Sequence, residues 1–252
     1  MATKLKFLFR DPQSALLFKT LVFGGAFLFT SLSGFRPMPL AVFLFLSGFF
    51  YLKLLTNAFA APFFLPFATL IGCAVFLFPL LLKAAPSAVW VVVFSLLFYL
   101  IVGIKEVLFV HRVRWYAVET LTLLYILFLA FFLVSGGAYS FLGLIGISLI
   151  TFFLLRGAEG FPVMSSDMIE GKAWNLAASV LALIAAELLW IVGFLPLSAL
   201  SAAAFVAMAL VMLTDIALRS SRSDILASAI VADIGMLIFL AAFLLLTSSW
   251  KP

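Results

Sequence analysis

Three acidic residues stand where a carboxylate is out of place. Glu187 interrupts the apolar run LALIAAELLWIVGFLPL (181–197), Asp233 sits in IVADIGM, and Glu119 in WYAVETLTLLY. An ionised acid at the centre of a membrane helix costs about 2.5–3.5 kcal/mol on insertion scales, so such residues tend to face a bundle interior and often serve function. Two chemistries suit an isolated carboxyl of this kind. Protonated and dry, it donates a hydrogen bond to a neighbouring helix, with Ser179, Ser201 and Thr214 as candidate partners of Glu187. That arrangement is a clamp, worth about 1 kcal/mol. Reached by water, the same carboxyl takes up and releases a proton or a cation, and Glu187 and Asp233 would mark two depths on one path. Glu119 lies one turn inside its apolar run, where a helix N-terminus favours an anion and Arg112 or Lys172 offers a counter-charge. It is read as mainly structural, and as a third candidate proton or ion site.

A second group is basic. The stretch GIKEVLFVHRVRWY (103–116) combines Lys105, His111, Arg112 and Arg114 with Trp115 and Tyr116. Basic side chains at headgroup level attract anionic lipid by about 1 kcal/mol each, and Trp and Tyr favour the membrane interface. Lys105, His111, Arg112, Arg114 and Trp115 are therefore read as lipid or partner contacts. His111 is the sole histidine and stands among cations, so no metal site is expected, and no cofactor. The chain has no H-E-x-x-H, no G-x-S-x-G, no Gly-rich phosphate loop followed by Lys and no CxxC pair. It is read as non-enzymatic. The single Cys73 lies in an apolar run and excludes an intrachain disulfide.

The elements that must position these groups follow from composition. The 252 residues are 67% hydrophobic and 10% charged, with a mean hydropathy of +1.34. Soluble domains run about 45–50% apolar and about 25% charged. A chain of this size has too little interior to hide so much apolar surface from water. The fold class is therefore an all-α, polytopic transmembrane helical bundle. At roughly 20 residues per span, the length allows about eight to ten helices. Nine apolar runs are expected as spans, near 14–33, 38–56, 62–83, 87–108, 115–134, 139–156, 174–195, 198–218 and 226–247. Pro37, Pro39, Pro62 and Pro86 open runs, where a residue lacking an N–H is tolerated. SGGAYS (135–140) and GFLPLS (193–198) read as tight turns.

Charge then orients the bundle. With the N-terminus inside, the cytoplasmic side collects Lys4, Lys6, Arg10, Lys53, Lys105, Arg112, Arg114, Arg156, Lys172, Arg219 and Arg222, against Arg36, Lys83 and Lys251 on the other. This bias predicts nine spans, N-in and C-out. Short loops and absent targeting signals point to a prokaryotic-type cytoplasmic membrane. The start of the chain also has the charged, apolar and small-residue parts of a signal peptide, a minor rival reading. The net charge of +5 is spread over loops beside apolar runs. That pattern suits the bilayer and its anionic headgroups rather than nucleic acid.

Composition shifts near residue 163, since 27 of the 31 Phe residues precede it. Residues 1–162 are read as a Phe-rich bundle of six helices. Residues 163–252 are read as a cytoplasmic loop and an Ala/Ser-rich unit of three helices whose small residues let backbones approach. SSDMIEGKAW, in the loop, is a candidate interfacial helix. No internal repeat of the kind common in transporters is visible. Two functions fit. One is a non-catalytic membrane subunit or scaffold, with a membrane-protein partner or a second copy. The other is a small proton-coupled transporter using buried carboxylates.

Overall fold

A computed structural model describes residues 12–52, 61–105, 112–134, 140–157 and 171–220, with isolated positions between 235 and 242. The described residues are helical, joined by short turns, and contain no strand. The helices are α1 (Pro12–Leu32), α2 (Pro37–Leu52), α3 (Ala61–Gly72), α4 (Phe78–Leu81), α5 (Ser87–Lys105), α6 (Arg112–Val134), α7 (Ser140–Gly157), α8 (Gly171–Val192) and α9 (Ala199–Ser220). A π-helical turn, Cys73–Leu77, joins α3 to α4.

Eight of the nine expected spans coincide with these elements. Six are long and apolar enough to cross a membrane, and two, Pro37–Tyr51 and Phe141–Gly157, are shorter. The ninth span, most of SGGAYS and most of the 156–175 loop lie outside the described residues. The GFLPLS turn is present, and Ser198 Oγ accepts the Ser201 backbone N–H at 3.2 Å, capping α9. Pro37 opens α2 as expected. Pro79 removes an N–H and crowds the carbonyl four residues back. The π turn immediately before it absorbs that disturbance within a continuous span.

The chain divides into two compact units, Met1–Glu119 and Thr120–Pro252, a boundary that precedes the composition shift. In the first unit α1 packs along α2 and α5. Its interior is a ladder of rings. Phe23 stacks on Phe98 at 4.2 Å, and Phe43 lies 5.2 Å from Phe23 and 5.4 Å from Phe27. Phe27 meets Phe78 and Phe94 edge-on at 5.1 and 5.4 Å. Such pairs contribute about 0.5–1.5 kcal/mol beyond area burial, which matters in lipid, where apolar burial alone does not favour one helix contact over another. At the end of α1, Gly34 takes a φ of 68° and Phe35 one of 58°. The Phe35 N–H then reaches the Thr30 carbonyl at 3.0 Å, and the Phe35 ring packs on Phe78.

In the second unit α8 packs against α7 and α9. The Trp174 Nε1–H donates to the Leu155 carbonyl at 3.2 Å. Ala178, Ala182 and Ala185 of α8 are buried, as are Ala202, Ala203 and Ala209 of α9. Small residues thus line the buried faces of α8 and α9. α7, from the Phe-rich stretch, belongs with them.

One contact tests how α1 and α5 are held. A Cβ on Gly24 would stand 2.5 Å from Ser95 Oγ, which donates to the Val91 carbonyl at 2.7 Å. Gly24→Ala is expected to displace that hydroxyl and destabilise the protein by about 1–3 kcal/mol. Gly24→Ala combined with Ser95→Ala should recover most of the loss. A double-mutant cycle of thermal unfolding in detergent checks the coupling.

Candidate functional site

Tyr51 is the penultimate residue of α2. Its carbonyl receives a donor from another helix. Lys105, the last residue of α5, places Nζ 2.9 Å from the Tyr51 carbonyl oxygen. The same ammonium lies 3.8 Å from the centroid of the Tyr51 ring. Phe67 stacks on that ring at 4.2 Å and 10°, which leaves the opposite face to the ammonium. Lys105 is only 6% exposed. It is thus held on the backbone and ring of Tyr51 from inside the protein.

Glu119 is a further buried polar residue. It lies two turns into α6, is 0% exposed, and neither carboxylate oxygen has a hydrogen-bond partner among the described residues. Tyr116, one turn earlier and buried, sets its ring 6.2 Å from Phe63 of α3. Three helices of the first unit therefore build the group around Tyr51: α2 and α5 supply Tyr51 and Lys105, and α3 supplies the ring of Phe67. Elsewhere in this unit polar groups are satisfied locally. Thr20, Thr30, Ser47 and Ser95 donate to carbonyls four residues back at 2.7–3.0 Å. Trp90 Nε1 donates to the Leu81 carbonyl at 2.8 Å. Among the described residues of the unit, Glu119 is the buried side chain left without a partner.

The structure sorts the expected site residues unevenly. Lys105, expected at the headgroups, is buried on the Tyr51 carbonyl and ring. Glu119 is buried, with no hydrogen-bond partner among the described residues. Glu187 is exposed on the outer side of α8 and is not enclosed by its unit. Asp233 and His111 lie outside the described residues, as do the side chains of Arg112 and Arg114 in the first turn of α6. Trp115 is 39% exposed. Among the described residues no three His, Cys, Asp or Glu side chains gather as metal ligands. Sequence reasoning missed Tyr51, whose signal was its place in the last turn of an apolar run, just before Lys53.

Set against known proteins, the chain matches no protein family, no curated sequence and no solved structure. What composition and fold define is a class, a helical apolar bundle compatible with a multi-pass membrane protein.

Lys105→Met removes both the hydrogen bond to the Tyr51 carbonyl and the ring contact. A loss of about 2–4 kcal/mol is expected, from a charged hydrogen bond of about 1.5–3 and a cation–π contact of about 0.5–2. Tyr51→Phe keeps the carbonyl and the ring, and should cost less than about 1 kcal/mol. Comparing the two unfolding midpoints checks that the lysine acts on the backbone and the ring face.

Proposed function

We propose that this protein is a non-catalytic multi-pass membrane subunit or scaffold that docks another membrane protein through the outer face of α8. The observation carrying this reading is Glu187. It lies five residues before the end of α8, about 7.5 Å along the axis. Around it, at helical spacing, Leu176, Val180, Leu183, Trp190 and Ile191 form an exposed apolar stripe. Side chains lean toward the helix N-terminus, so this carboxyl is directed away from the nearer end. Lipid tails offer it no donor, whereas a neighbouring helix carrying a basic or hydroxyl group at that depth does. The rest of the reading is nine spans, N-in and C-out, in a prokaryotic-type cytoplasmic membrane, with the basic face toward anionic headgroups.

Photo-crosslinkers placed at Leu183 and Trp190 in cells are expected to give a protein adduct that Glu187→Leu reduces several-fold. Adducts with lipid alone would overturn the docking reading, and an adduct of twice the chain mass would identify the partner as a second copy. The orientation has its own test, helped by Cys73 being buried. On intact cells an impermeant maleimide should label Arg36→Cys and Lys83→Cys but spare Arg156→Cys, and the reverse pattern would invert the topology.

A second reading, a small proton-coupled transporter, is favoured by the buried, unpartnered Glu119. Within the described residues it rests on that carboxyl, because Glu187 faces outward.

A further inference from the structure

We propose that the protein docked on α8 is a second copy of this chain, and that Glu187 of each copy meets Glu187 of the other across a two-fold axis along the membrane normal. The inference rests on the docking reading and deepens it by naming the partner.

The exposed face of α8 has the form of a helix-pairing seam. Leu176, Val180, Leu183, Glu187 and Trp190 are all exposed and follow one another in steps of four, three, four and three residues. That is the heptad spacing with which a helix lines the seam of a parallel pair. The other side of α8 is already used, since Ala178, Ala182, Ala185 and Leu189 are buried. Glu187 is the one ionisable residue among these five seam positions. A lone polar residue at a seam position fixes register and oligomer state, at a cost in stability.

Whatever covers this seam must bring a hydrogen-bonding group to the depth of Glu187, and hydrocarbon brings none. Copies inserted with one orientation lie at one depth. A two-fold axis along the membrane normal then makes an isologous interface, in which the same patch is used by both copies. Leu183 faces Leu183, Trp190 faces Trp190, and Glu187 faces Glu187. A carboxyl that keeps its proton is donor and acceptor at once. Each O–H can therefore donate to the carbonyl oxygen opposite, and each carboxyl is satisfied by its equal. Apolar positions meet apolar positions and the polar one meets its like, so the seam is complementary to itself. A partner of different sequence matches only if it carries the same apolar spacing and also a donor at this one depth.

Disulfide trapping of the full chain, purified and reconstituted in liposomes, tests this directly. Cys73, the one native thiol, is first replaced by Ala. Leu183→Cys and Trp190→Cys are then expected to oxidise to dimers, since a disulfide needs Cα atoms within about 7 Å. Phe45→Cys, exposed on α2, measures the background of random encounter. Adding Glu187→Leu to Leu183→Cys should lower the dimer yield several-fold. Glu187→Gln should keep most of it, because a carboxamide also donates and accepts. Each variant's unfolding profile confirms that it is folded, and Glu187→Ala replaces Glu187→Leu if the latter is not. A Leu183→Cys yield no higher than that of Phe45→Cys overturns the inference, as does a yield that loss of the carboxyl leaves unchanged. If the purified chain gives no dimer while the cross-linkers in cells capture a protein of another mass, the second copy is ruled out and the docking reading stands. Lipid adducts alone overturn both.

Discussion

In lipid, apolar burial does not tell a helix which of its faces to turn inward. Every described helix of this protein is apolar on most sides, and the solvent is as apolar as the side chains, so what selects one arrangement is shape and the need of polar atoms for partners. Both are visible in the first unit. The ring ladder from Phe27 through Phe43, Phe23 and Phe98 gives α1, α2 and α5 a set of fitting surfaces. The Tyr51 carbonyl and ring then hold the one cation of α5, Lys105.

The ladder and the site are one structure. Phe67 lies 6.5 Å from Phe98 at the end of the ladder and 4.2 Å from Tyr51 at the edge of the site. The polar group is therefore mounted on a rigid aromatic stack in place of a loop. Geometry set by packed rings changes little under thermal motion, whereas the Lys105 stem has four rotatable carbons.

Much of this architecture was legible in the chain. Run lengths and the prolines at 37, 62 and 86 located eight helices to within a few residues, because a span needs a minimum length and a proline can open one. The π turn before Pro79 was not legible in the run lengths. The sidedness of each helix was not legible, for the reason given above. Hydropathy put Lys105 outside and Glu187 inside, and the described structure has them the other way round. Glu119 was singled out by its type, and it is buried. The Lys105–Tyr51 contact joins residues 54 apart in sequence, and no local pattern could announce it. Where the ninth span and Asp233 are concerned, the expectation lies outside the described residues.

The π turn at Cys73–Leu77 has a consequence for alignment. A π turn is in effect one residue inserted into an α-helix, and each residue advances a helix by about 100°. Without it, the Ala61–Gly72 half of the span would be rotated by about that angle against Phe78–Leu81. With Phe78 fixed on Phe27, Phe67 would swing off the Tyr51 ring and Phe63 off Tyr116. The two halves behave like sections of a shaft keyed at a set phase. One extra peptide in mid-membrane is what lets a single span grip the aromatic ladder at one end and support the lysine's seat at the other.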